Sequence, residues 1–244
     1  MATMPPRIPA LEETIPYMLR LCDELHIYLN EFDHIPDFLL HKKIRLYPSQ
    51  DYLGDLGDVG KFFTCGQWPQ KDAYIFTVDD KLIYPSDYVD RSVEAIEEYE
   101  RKAVVSFHGR NLKPNCNSYY FDAAAFFGVL SSVPVDQWAH ELGTGAMSFH
   151  SSTVKPSLDV FTTINMTDIW FSMFLQKKEI PILIRRHRKG WVGISTRHDD
   201  DYSIHAICNK NDGYQTAVVN GFKWQNFSVS PEKLPSIHHD PRIH

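Results

Sequence analysis

The sequence predicts an α/β fold with a mostly parallel central sheet flanked by helices. Two observations carry that prediction. Short apolar runs alternate with amphipathic segments over residues 1–110, the pattern of strands joined by helices. The strongest apolar run, Tyr74 to Val78, is followed by a turn, then a helix-like segment and a second apolar run.

The elements follow in order. Met1–Met4 reads as a short strand that ends at the turn Pro5–Pro6–Arg7. Leu11–Leu21 has helical periodicity, and His26–Leu29 is an apolar strand ending at Asn30. Lys43–Leu46 is a candidate third strand. The glycine-rich turn LGDLGDVG leads into a helix start across Asp58–Gly66. Ala73–Val78 is the best-defined strand and reads as buried. Asp87–Arg101 is an amphipathic helix with Val89, Val93, Ile96 and Tyr99 on one side. Lys102–Phe107 is another strand. Beyond Arg110 the pattern is less regular, although Thr167–Lys178 is a clear helix and Ile180–Ile184 a strand after it. The tail from Ser228, with its prolines and histidines, reads as a segment that wraps the surface.

Composition narrows the function. At 244 residues, 43% hydrophobic and 13% aromatic, the chain can bury a sizeable core. A net charge of −6 disfavours nucleic acid as a partner, because such domains carry a basic face. No apolar run approaches the ~20 residues that span a bilayer. Arg7 and the prolines at 5, 6 and 9 interrupt any signal peptide, so none is expected. Cys22, Cys65, Cys116 and Cys208 are widely spaced and form no CxxC pair, which suits free thiols and a cytoplasmic location.

Several groups of residues are equipped for chemistry. Asp79 and Asp80 stand at the C-terminal end of the strongest strand, where open α/β sheets bind ligands. Paired carboxylates there can hold Mg²⁺ or Mn²⁺ beside a phosphate, or form a solvated turn or helix cap. Lys81 follows and can touch a phosphate directly. Asp168 opens the helix of NMTDIWFSMFLQKKEIP. The helix dipole alone favours an acid there, and a general base aimed into a cleft is the functional alternative. Gly143–Thr144–Gly145 is either an ordinary tight turn or a segment where backbone closely approaches another group. His108 and Arg110 directly follow a strand and can reach the same cleft. The remaining histidines match no metal-protease or zinc-finger spacing. Asp199–Asp201 reads as a solvated charged loop.

Taken together and in order, these segments resemble the nucleotide-sugar glycosyltransferases of the GT-A fold, close to the family 2 type. The nearest likeness is to small transferases of bacterial surface-polysaccharide loci and of some large DNA viruses. The resemblance runs through ATMPPR, IYLN, GDLGDVGKF, YIFTVDDKLIYPSDY, VVSFHGR, ELGTGAMSFH and NMTDIWFSMFLQKKEIP, and so covers most of the chain. It implies a single GT-A domain over 1–244, with residues 1–110 as the nucleotide-binding half and 111–244 as the acceptor and catalytic half. Thr3, Arg7 and Asn30 then face the nucleotide base. Asp58 and Lys61 contact base and ribose, and Asp79 and Asp80 bind ribose and metal-diphosphate. Gly143, Thr144 and Gly145 line the sugar and acceptor site, and Asp168 is the catalytic base of an inverting reaction.

The implied partners are a nucleotide-diphosphate sugar, with UDP favoured, and a glycan or glycolipid acceptor. The implied cofactor is Mn²⁺ or Mg²⁺. One departure matters: the pattern commonly reads Asp-Asp-Asp, and here the third residue is Lys81. If the third position holds the metal, the ligand is lost and Lys81 neutralises the diphosphate. Counted back from Pro85, Asp80 is the principal ligand instead, and this register is favoured. Two other classes stay open. Lys81 would suit a non-catalytic module that binds nucleotide sugars. The Asp and His content would suit a metal-dependent phosphoesterase, although no dense His/Asp cluster is present.

Overall fold

The computed structural model describes residues 1–67 and 72–227. In chain order the strands and helices are β1 (Ala2–Thr3), α1 (Ile8–Leu21), β2 (Leu25–Leu29), β3 (Ile44–Pro48), β4 (Tyr74–Val78) and β5 (Leu82–Ile83). Next come α2 (Tyr88–Glu98), β6 (Val104–Ser106), β7 (Gly109–Leu112), β8 (Ala123–Phe127), β9 (Gln137–Ala139), β10 (Glu141–Leu142) and β11 (Ala146–His150). The chain continues with α3 (Thr167–Lys177), β12 (Ile182–Ile184), β13 (Gly193–Ile194), α4 (Ile204–Cys208) and α5 (Gly213–Asn220). The segment Asp58–Gly66, expected to start a helix, forms two short 3₁₀ turns, Gly57–Phe62 and Cys65–Gln67. The tail from Ser228, with His238 and His239, lies outside the described residues.

The fold is α/β. The first sheet, β1-β2-β3, is wholly parallel. The five-stranded sheet runs β4-β11-β6-β12-β9 and is mixed, with β6 and β12 parallel and the other pairs antiparallel. The expected mostly parallel arrangement therefore describes the first sheet and not the second. The difference arises at β11, which enters between β4 and β6 from a tight turn rather than from a crossover helix. β4, expected to be buried, has β11 as its one ladder partner among the described residues. Within it only Thr77 is fully buried.

Helices cover both faces of the five-stranded sheet, and strand alternation explains how. Val104 of β6 and Ile182 and Ile184 of β12 pack with Phe171 and Leu175 of α3. The intervening Val105 and Leu183 point the other way, onto Ala95 and Ile96 of α2. A further cluster joins Leu11, Ile15 and Met18 of α1 to Ile27 and Leu29 of β2. α2 begins after Pro85, whose carbonyl accepts from the Tyr88 N–H, and ends before Glu100 and Arg101, which take positive φ angles of 55° and 59°. No helix among the described residues is long and apolar enough to cross a membrane.

Candidate functional site

A cavity of about 620 Å³ opens where the C-terminal end of β4, the start of α3 and the 3₁₀ turn Gly57–Phe62 meet. Every predicted site residue lies on its wall: Thr3, Arg7, Asn30, Asp58, Lys61, Asp79, Asp80, Lys81, His108, Arg110, Gly143, Thr144, Gly145 and Asp168. Sharing a wall does not make their roles equal. The hydrogen bonds separate those that face the cavity with free polar atoms from those spent inside the protein.

The two acids after β4 point to different partners. Lys61 Nζ donates to Asp79 Oδ1 at 2.5 Å. Burial opposes the charge on Asp79, but the Lys61 ammonium overrides it and holds the carboxyl down at about 2. Lys61 is desolvated too, yet Asp79, Asp168 and Asp58 together push it up to about 12. Asp80 turns inward: Thr3 Oγ1 donates to its Oδ2 at 2.8 Å, and Arg7 Nε stands 3.6 Å from its Oδ1. Burial raises the Asp80 carboxyl against the pull of Arg7. The Asp79 side chain is 31% exposed and that of Asp80 only 7%. Of the two expected metal ligands, Asp79 is the more open, while Asp80, which the sequence favoured as the principal ligand, turns its Oδ1 toward Arg7 and its Oδ2 toward Thr3. The Lys81 carbonyl accepts from Ser195 N–H at 2.8 Å, and its ammonium adds to the charge that holds Asp79 down.

The turn Gly143–Gly145 binds this strand end to the second half of the chain. Thr77 Oγ1 donates to the Thr144 carbonyl at 2.6 Å, and Tyr84 OH to the Gly145 carbonyl at 2.5 Å. The Asp79 N–H donates to the same Tyr84 oxygen at 2.8 Å. Both glycines are required by close approach: a Cβ on Gly145 would lie 2.4 Å from Asp79 Oδ2, and one on Gly143 2.3 Å from His108 Cδ2. The segment is also a tight turn, since Ala146 N–H donates to the Gly143 carbonyl at 3.3 Å.

Asp168 sits in the first turn of α3 and is half-buried. Thr144 donates to its Oδ1 twice, from the backbone N–H at 2.8 Å and from Oγ1 at 2.6 Å. Its Oδ2 receives no hydrogen bond from the described residues. No α3 side chain caps the helix. Asp58 does so from a distant segment, accepting from Asn165 N–H at 2.6 Å, Thr167 N–H at 3.0 Å and Thr167 Oγ1 at 2.6 Å. Burial raises the Asp58 carboxyl against the charge of Lys61.

On the far wall the His108 Nδ1 accepts from Val129 N–H at 3.2 Å, so the ring proton sits on Nε2. Burial lowers His108 to about 4, and Asp168 pulls the other way, leaving a neutral imidazole. The Arg110 guanidinium lies over the Tyr119 ring at 4.4 Å and donates to the Tyr119 carbonyl at 2.7 Å. Its Nε is 3.4 Å from Glu141 Oε1, which also accepts from Tyr119 OH at 2.5 Å. Burial pushes Glu141 up to about 7 against the pull of Arg110.

Besides Asp58, two further expected base contacts are otherwise engaged. The Asn30 amide donates to the Gly57 carbonyl at 2.9 Å, and its oxygen accepts from Leu56 N–H at 3.0 Å. The Thr3 hydroxyl is spent on Asp80. Sequence reasoning missed Tyr119, Tyr120, Tyr202 and His205 on the cavity wall, and Glu141 behind Arg110. Only Glu141 had a nearby signal, its place two residues before Gly143. The charged loop Asp199–Asp201 is exposed as expected, but Asp200 also reaches the cavity rim. Neither a protein-family model nor a curated protein matches the chain.

Proposed function

We propose that this chain is a GT-A glycosyltransferase. It moves a sugar from a nucleotide-diphosphate sugar, a UDP-sugar by preference, to a hydroxyl of a glycan or glycolipid acceptor, with inversion and in the cytoplasm. The observation that carries this reading is the meeting of Asp79 and Asp168 on one cavity. The two acids come from opposite halves of the chain and are joined through the Gly143–Gly145 turn. A cleft that receives a donor from one side and an acceptor from the other needs that arrangement. The α/β layering and the parallel β1-β2-β3 sheet add support.

Each residue then has a part. Lys81 and Lys61 face the departing diphosphate with positive charge, which lowers the barrier to breaking the sugar–phosphate bond. Asp79 Oδ2 would hold Mn²⁺ or Mg²⁺, which prefers a carboxylate oxygen and completes its shell from phosphate and water. Such an ion would supply further positive charge to the leaving group. Asp168 Oδ2 takes the proton of the acceptor hydroxyl as its oxygen attacks the anomeric carbon. Attack from the face opposite the diphosphate inverts that centre.

Replacing the base tests this directly. Asp168→Asn should retain the melting shift produced by a UDP- or GDP-sugar while transfer falls roughly 10²–10⁴-fold, the usual contribution of a general base. Unchanged transfer would refute the assignment. Binding of nucleotide sugars with no transfer in the native chain would leave a binding module instead. A melting curve indifferent to every nucleotide sugar and nucleoside diphosphate, with or without Mn²⁺, would sink both.

A further inference from the structure

Three oxygen–oxygen contacts link Asp58 to Asp168 in an unbroken row. Asp58 Oδ2 to Thr167 Oγ1 is 2.6 Å, Thr167 Oγ1 to Thr144 Oγ1 is 3.0 Å, and Thr144 Oγ1 to Asp168 Oδ1 is 2.6 Å. Both threonines are 1% exposed and Asp58 is 8% exposed, so the row runs through the interior. Three hydrogen bonds need three hydrogens. The two hydroxyls supply two, because each carries a single hydrogen. With both acids ionised, each hydroxyl turns outward to its carboxylate and the 3.0 Å contact has no hydrogen in it. One added proton, on either acid, completes the row.

We propose that Asp58 and Asp168 share one proton through the hydroxyls of Thr167 and Thr144, which makes Asp58 the far terminus of the candidate base. The use of this row in turnover rests on the glycosyl-transfer reading; the sharing itself does not. During transfer the proton leaving the acceptor oxygen binds Asp168 Oδ2, and a half-turn of the carboxyl about its Cβ–Cγ bond presents that hydrogen to Thr144 Oγ1. Asp168 passes a hydrogen to Thr144 Oγ1, Thr144 passes its own to Thr167 Oγ1, and Thr167 passes its own to Asp58 Oδ2. Each hydroxyl loses one hydrogen and gains one. The net change is one proton moved from acceptor to Asp58, and Asp168 returns to a carboxylate. The backbone N–H groups of Asn165 and Thr167 remain bonded to Asp58 throughout.

Other charges face the pair. Lys61 acts on both acids, Cys208 faces Asp58, the two carboxylates repel each other directly, and His108, Arg110, Glu141 and the Tyr119 and Tyr120 phenols act on Asp168. They set the pH at which the proton is taken up. The hydroxyl row sets whether one acid responds to the other through bonds, and a change at Thr167 leaves those neighbours in place.

The test is a pH titration of the aspartate side-chain carboxyl ¹³C resonances in the full chain without nucleotide, with Asp58 and Asp168 assigned from their Asn variants. In the native chain both resonances should move through the same two midpoints, the behaviour of a coupled pair. In Thr167→Val the two midpoints should draw together, leaving only the separation set by direct repulsion between the carboxylates. Thr167→Ser, which restores the hydroxyl, should restore the native separation. Thr144→Val breaks the row at its other contact and should act as Thr167→Val does, which keeps the test open if one variant fails to fold. An Asp168 curve unaltered in a folded valine variant overturns the proposal, as does a serine variant that behaves like valine. A chain that shows coupled titration but answers to no nucleotide sugar keeps the shared proton and loses the transferase reading.

Discussion

Asp58 illustrates how little a residue's type says about its task. By resemblance it belongs to the base and ribose, yet its carboxylate is filled by three donors at the start of α3. Removing it leaves buried N–H groups unpaired. Asp58→Ala should lower stability by about 1–3 kcal/mol, read as a fall in Tm in the absence of any nucleotide. A variant as stable as the native chain but weak for nucleotide would return Asp58 to the ligand. Asn30 and Thr3 follow the same logic, each side chain being spent on bonds inside the protein. Lys81 is the contrary case: it lies on the cavity wall, and its charge acts on Asp79.

At the scale of elements, the end of β4 and the Gly143–Gly145 turn act as one unit. Thr77, Tyr84 and the Asp79 N–H tie them together, and Gly145 lets the Asp79 carboxylate lie against its backbone. A methyl group there cannot coexist with the Asp79 carboxylate in its present position. Gly145→Ala should therefore cost about 1–3 kcal/mol of stability and abolish nucleotide-dependent stabilisation, measured by denaturant unfolding with and without UDP. A variant that folds and binds as the native chain does would show that Asp79 can move freely. The turn was legible in the sequence as two glycines around one threonine. What it approaches was not, because Asp79 and His108 are remote along the chain and only β11, pairing with β4 and β6, brings the turn to them.

For the whole molecule, buried ionisable groups set the response to pH. Asp79 is held at about 2 against an ordinary 3.8, so its contribution is present above 3.8 and is lost as pH falls through 2. Glu141 lies the other way, at about 7 against 4.5. Between those values the folded state holds a proton that the unfolded state releases, so this group makes stability fall as pH rises. His108, at about 4 against 6.5, opposes it, because unfolding takes up a proton and stability falls as pH drops through that window. Glu141→Gln should remove the first slope and leave the second. Relative to the variant, the native chain should lose on the order of 3 kcal/mol between pH 4.5 and pH 7, read from Tm or denaturant midpoints. Parallel profiles would mean that Glu141 stays ionised beside Arg110. By itself the sequence determined the α/β class, the periods of α1, α2 and α3, and the acids at the end of β4, because these are written in the spacing of neighbouring residues. Only the tertiary structure decided that the larger sheet is mixed, that Asp80 turns inward while Asp79 meets Lys61, and that Asp58 reaches Asp168 through two threonines. Strand pairing and charge pairing join residues far apart in the chain, and what selects among the possible partners is the burial that closes the whole fold.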